Sequence, residues 1–157
     1  MIVVSDASPL IALGRIGRLD LLREIFGSLV IPDAVWKEVV EAGIDKEGSV
    51  NVAEAAWISR QSVLDHSLVN LLRHDLGAGE AEAIVLAREC NADFLLIDER
   101  LGRSAAKSLG LKVVGLVGVL IEARERGLVT DAGSLMDRLH GDAGFWISED
   151  LRKLVTG

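Results

Sequence analysis

The sequence predicts a three-layer α/β/α sandwich on a central parallel sheet, and three observations carry that reading. Short runs of branched apolar residues alternate with longer helical patterns along the chain, the order expected of parallel strands joined by crossover helices. Half of the residues are hydrophobic while only 4% are aromatic, so the core is built from Val, Ile, Leu and Ala, which suits strands buried on both faces. At 157 residues the chain fits a single domain, 1–157, able to bury roughly two thirds of its unfolded surface.

The elements follow in order. Ile2-Val3-Val4-Ser5 reads as a short buried strand. Ser8-Pro9 then supplies a capping hydroxyl and a proline for the first helical position, which leaves Asp6 in the turn between strand and helix. A helical stretch from Leu19 to Phe26 stops at Gly27, Leu29-Val30-Ile31 is a strand, and Asp33 to Ala42 is a helix with Gly43 as its stop. Asp45 to Gly48 is a polar loop, the stretch to Ala56 reads as helical, and Trp57-Ile58-Ser59 as extended. Ser67 to His74 is a helix, and the turn Leu76-Gly77-Ala78-Gly79 opens another from Glu80 to Cys90. Phe94 to Ile97 is the clearest strand, Arg100 to Leu109 the helix after it, and Lys112-Val113-Val114 a further strand. Helices around Val117 to Arg126, Asp131 to Leu139 and Ser148 to Leu154 finish the chain, with no internal repeat.

Composition narrows the chemistry. A formal net charge of -7 argues against gripping nucleic acid by bulk positive charge, because such binding needs Lys and Arg to neutralise phosphates. Carboxylates loaded with divalent cations would serve instead, since the ions invert the local charge. The single Cys90 allows no internal disulfide and no cysteine-rich zinc site, so a bound metal would be a hard ion held by oxygen, Mg²⁺ or Mn²⁺. No apolar run approaches the roughly 18 to 20 residues of a membrane span, and the amino terminus opens on a strand. A soluble, cytoplasmic protein without membrane association is expected.

Four acids sit at the ends of elements or near a helix's buried side. Asp6 follows the first strand and Asp98 follows Phe94 to Ile97, so both fall at the carboxyl edge of the sheet, where ligands of such folds bind. On a helical wheel Glu38 lies between Ala34 and Ala42, off the polar pole of Lys37 and Glu41. In Gly79-Glu80-Ala81-Glu82-Ala83-Ile84 the wheel turns Glu80 inward with Ile84 and Ala87 and Glu82 outward near Glu89. Each acid also has a plainer reading as a cap, a boundary residue or a turn signal. Arg100, Arg103 and Lys107 recur at i, i+3 and i+7 beside Asp98, either as a solvated face or as a grip on substrate phosphates. His66, His74 and His140 are too scattered for a catalytic triad.

Val4-Ser5-Asp6-Ala7-Ser8-Pro9-Leu10-Ile11, Ile31-Pro32 leading to Glu38, Gly77 to Ile84, and Leu96-Ile97-Asp98-Glu99-Arg100-Leu101-Gly102-Arg103 together resemble the PIN-domain superfamily. More narrowly they look like the prokaryotic branch with a Gly-Glu-Ala-Glu-Ala-Ile segment and an Asp-Glu-Arg after the fourth motif. The likeness runs in order from about Met1 to about Val129. It implies a metal-dependent ribonuclease whose Asp6, Glu38, Glu80 and Asp98 bind Mg²⁺ or Mn²⁺ and carry catalysis. Ser8, Glu82 and Glu99 are implied as supporting groups or alternative ligands, and the third acid is Glu80 or Glu82. The chain departs from the pattern in having Glu where the third acid is commonly Asp, and in lacking an obvious later Asp, for which Glu99 is the substitute. The resemblance further implies RNA as substrate, a role as toxin of a toxin-antitoxin pair with a small antitoxin-like partner, and a homodimer, for which Phe145-Trp146-Ile147 offers apolar surface. Two rivals stand beside it: an interaction module of the same fold without useful nuclease activity, and a metal-dependent phosphatase. The phosphatase pattern of a haloacid-dehalogenase site wants a second Asp where this chain has Ser8.

Overall fold

The computed structural model of the chain describes residues 1–42 and 49–157, with side chains in the second stretch from residue 52 onward. Its strands are β1 (Val3–Ser5), β2 (Leu29–Ile31), β3 (Ile58–Arg60), β4 (Phe94–Leu96) and β5 (Val113–Val114), all parallel, in the order β3-β2-β1-β4-β5. The chain starts in the middle of the sheet, winds outward to β3, and then crosses back to place β4 on the other side of β1. The strand order therefore reverses between β1 and β4, and in open parallel sheets the crevice outside that point is where ligands bind. Val3, Val4 and Ser5 pair with Phe94, Leu95 and Leu96, and the Asp6 N–H extends the ladder by donating to Leu96 O at 2.9 Å. Asp6 and Asp98 thus leave neighbouring strands on the same edge.

Helices cover the sheet: α1 (Ala7–Arg15), α2 (Asp20–Phe26), α3 (Asp33–Trp36), α4 (Ser49–Glu54), α5 (His66–Leu72), α6 (Ala78–Glu89), α7 (Arg100–Ser108), α8 (Leu116–Glu125), α9 (Ala132–Ala143) and α10 (Glu149–Thr156). At the centre of one layer is α6, against β1 and β4 and flanked by α3, α5 and α7. Its residues Ala81, Ala83, Ile84, Val85, Leu86 and Ala87 are all buried, as expected of a helix apolar nearly all round. In the other layer α8 packs on α2 and α10, and α9 on α1 and α10. Asp65, Asp131 and Ser148 cap α5, α9 and α10 by accepting from Leu68 N, Ser134 N and Leu151 N, the side-chain chemistry that starts helices.

Two readings need correction. Ser8 does not cap α1: the helix already begins at Ala7, the extended residue before it is Asp6, and Ser8 lies exposed in the first turn. The ladder bond from Asp6 to Leu96 fixes where the chain can turn, and that point lies two residues earlier than the Ser-Pro signal. The helix from Asp33 is also not uniform, because α3 runs into a π-helical turn at Lys37–Glu41. Gly43 and the loop Asp45 to Gly48 fall outside the described residues. Near the carboxyl end Phe145 and Ile147 pack against the core, while Trp146 is 73% exposed. Among the described residues no helix is long and apolar enough to cross a membrane.

Candidate metal centre

Asp6 is the only buried charged residue among those described, at 3% exposure. The ladder holds its backbone at the end of β1, and its carboxylate bonds none of the amides a turn into α1. Its pKa is raised from the ordinary 3.8 to about 7: burial is the largest cause, the adjacent Ala7 amide opposes it, and the charges of Glu80, Glu38 and Asp98 add to it. Carboxylates from three other elements therefore act on one buried acid.

Each of the three arrives by a different device. Glu38 is carried by the π-helical turn after α3, a feature that widens a helix and recurs at functional sites. Its Oε2 faces Gly79 of α6, where a Cβ would stand 3.5 Å from Glu38 Oε2 and 3.5 Å from Asp6 Oδ1. The two carboxylates thus meet across a residue that has no side chain. Glu80 is the third residue of α6; its Oε1 reaches back to accept from Gly77 N at 3.4 Å, the Glu half of a capping box. Its Oε2 is buried beside Gly102 of α7, where a Cβ would come within 2.8 Å. Asp98, past the end of β4, accepts from Leu116 N at 2.7 Å through Oδ1.

The remaining oxygens define the site. Among the described residues, Glu80 Oε2 and Asp98 Oδ2 are the buried side-chain polar atoms that have no hydrogen-bond partner. Burial is also the leading cause raising the pKa of Glu38, Glu80 and Asp98, with Glu99 adding repulsion to the latter two. An unpaired buried acceptor next to like charges is costly, and a hard cation, which takes carboxylate oxygens, is the group that satisfies it. Among the described residues no three His, Cys, Asp or Glu side chains are drawn tightly enough to enclose an ion as placed. The donor chemistry, carboxylate oxygens with two of them unpartnered, fits a divalent ion.

The other candidates sort by what they touch. Glu82 leaves α6 toward α3, and its Oε1 accepts from Ala34 N at 3.0 Å; it caps a neighbouring helix rather than facing Glu80's crevice or open solvent. Ser8 is exposed, and Glu99 precedes α7 on the rim. Of the basic stripe, Arg103 donates to Ile97 O at 3.0 Å and lowers the pKa of Asp98 by its charge, so it braces the site. Arg100 and Lys107 are exposed. Gly79, Gly102 and Gly115 were not singled out from the sequence as parts of the site. A Cβ at Gly115 would lie 2.7 Å from Arg103 Nη1 and 3.0 Å from Asp98 Oδ1. Glycine inside a helix pattern costs about 1 kcal/mol, and Gly79 and Gly102 carried that signal of close approach.

Fold and site together define a class: a doubly wound parallel α/β protein with an acidic crevice where the strand order reverses. The family model described as "DUF3368: PIN domain" matches residues 2–156, and the chain belongs to this PIN-domain family. PIN domains are generally metal-dependent nucleases. Among solved structures, a PilT N-terminus domain protein from the hyperthermophilic archaeon Sulfolobus solfataricus is similar at a TM-score of 0.56 and 20% identity, over 80% of this chain and 95% of that one. That likeness shows the fold. No curated protein matches the sequence.

Two predictions follow from the geometry. Glu80→Gln should leave the metal-free fold at least as stable as the parent, because it removes a charge from a repelling cluster, and should erase the thermal stabilisation that Mn²⁺ gives. Glu82→Gln should lose up to about 1 kcal/mol of stability from its bond to Ala34 and keep the Mn²⁺ response. Melting curves with and without Mn²⁺ check both; an unresponsive Glu82 variant would move the ligand to that residue.

The second prediction concerns pH. The folded pKa of Asp6 lies above its unfolded value, so the folded state holds the proton more tightly and stability falls as pH rises. The decline should run from about pH 4 to about 7 in metal-free protein and should be flatter in Asp6→Asn. Chemical denaturation across that range measures it, and an equal slope in the variant would refute the assignment.

Proposed function

We propose that the protein is a divalent-metal-dependent endoribonuclease, hydrolysing phosphodiester bonds of RNA with Mg²⁺ or Mn²⁺ held by Asp6, Glu38, Glu80 and Asp98. The observation that carries this reading is the pair of unpartnered buried oxygens, Glu80 Oε2 and Asp98 Oδ2, beside an Asp6 whose ionisation the other acids oppose. When bound, such an ion supplies Lewis acidity, activating a water for in-line attack and stabilising the departing oxygen. The chain's own residues do the rest. Arg103, bonded to Ile97 O, sets its charge close to Asp98, Glu82 fixes α3 against α6, and Glu99 and Ser8 are the supporting groups. We extend this reading to a cytoplasmic toxin silenced by a small antitoxin-like partner and working as a homodimer, for which the exposed Trp146 offers apolar contact surface.

A second reading, an interaction module of the same fold without useful nuclease activity, is favoured by the net charge of -7 and by the spacing of the acids as placed. Cleavage decides between them. Incubated with a pool of RNAs and Mn²⁺, the protein should cut; chelation should abolish cutting, and Asp6→Asn should lower it by orders of magnitude while remaining folded. Undiminished cutting by the variant, or in chelator, would contradict the assignment of these acids.

A further inference from the structure

On the carboxyl edge of the sheet, to one side of the acidic crevice, stands a second polar group. The register pairs Val4 with Val30 and Ile31 with Arg60, so Ser5, Ile31 and Arg60 end three adjacent strands at one level. At about 4.8 Å per strand, Arg60 lies roughly 10 Å across from the residue before Asp6. Its guanidinium carbon sits 5.6 Å from the centroid of the Trp36 ring, within cation–π range. Its Nε donates to Asp33 Oδ1 at 2.6 Å, and Ser62 Oγ donates to Asp33 Oδ2 at 2.6 Å. Both bonds hold the Asp33 carboxyl below the usual carboxylate range. Asp33 takes the Nε hydrogen, and 40% of the Arg60 side chain is exposed.

We propose that Arg60, stacked on Trp36 and clamped by Asp33, is a substrate-binding residue that stacks an unpaired base of single-stranded RNA while the strand's neighbouring phosphate enters the acidic crevice. Arg planes are platforms for unstacked bases, and base stacking tolerates any sequence. On the opposite flank Arg103 commits an Nη group to Ile97 O, whereas the side-chain bond of Arg60 is made by Nε. This inference rests on the crevice being a ribonuclease site; what it adds is Arg60 as the residue that holds a base.

The test is binding of a fluorescently labelled oligouridylate, followed by anisotropy with Ca²⁺ as the divalent ion, with Mn²⁺-dependent cleavage scored separately. Arg60→Gln should weaken the single strand on the order of tenfold with little change in salt slope, because it removes a stacking plane rather than a phosphate contact, and should lower the melting temperature by no more than a few degrees as the bond to Asp33 and the contact with Trp36 are lost. Arg60→Lys, which keeps the charge and loses the plane, should not recover the affinity. The proposal is overturned if Arg60→Gln binds like the parent, if Arg60→Lys recovers full affinity, if duplex RNA is weakened as much as the single strand, or if the parent does not bind. Loss of binding in Arg60→Gln without any cleavage by the parent would uphold the platform and remove the nuclease reading; cleavage with unchanged binding would do the reverse.

Discussion

Repulsion among carboxylates at the end of β1 is the constraint on which the rest of this structure turns. Asp6 is nearly inaccessible to water, and Glu38, Glu80 and Asp98 all raise its pKa. A fold gains nothing from such an arrangement by itself, since every member would be easier to keep in solvent. The cluster is tolerated because the strand-order reversal brings β1 and β4 together with their carboxyl ends open, and because α6 contributes small residues at the point of approach. The crevice is in that sense a local debit of stability carried by the apolar layer behind it.

Several otherwise unrelated features become one mechanism under that constraint. Gly79 leaves room between Asp6 and Glu38, Gly102 makes room for Glu80 Oε2, and Gly115 accommodates both Arg103 and Asp98. Arg103 provides positive charge close to Asp98 and is itself fixed by Ile97 O. Glu82, only two residues from Glu80, is spent on Ala34 N, which ties the helix bearing Glu38 to the helix bearing Glu80. The π-helical turn at Lys37–Glu41 completes the set by presenting Glu38 to Gly79.

Much of this was legible in the sequence because strong local signals agreed with the fold. The apolar runs at Val3–Ser5, Leu29–Ile31 and Phe94–Leu96 mark the central strands, and Asp6 and Asp98, within two residues of the end of two of them, read as the carboxyl edge of a parallel sheet. The wheel separates Glu80 from Glu82 because α6 is regular. It also sets Glu38 off the polar pole, but it does not register the π turn at Lys37–Glu41, whose period differs from 3.6 residues per turn. Ser8 misleads because capping propensity is local, whereas the start of α1 is set by a ladder bond to Leu96, ninety residues away. Arg103 reads as a phosphate grip from its spacing alone; only the three-dimensional path shows its guanidinium turned back to Ile97 O. The glycine cradle stays hidden for the same reason, since what each glycine avoids belongs to a different element.

Diffraction from crystals soaked in Mn²⁺, at a wavelength where the ion scatters anomalously, tests the central claim most directly. The account predicts an anomalous peak in the crevice outside β1 and β4, bounded by Asp6 and the oxygens Glu80 Oε2 and Asp98 Oδ2. An empty crevice in crystals whose soak reaches saturating Mn²⁺, or a peak bound only by surface carboxylates elsewhere, would contradict it.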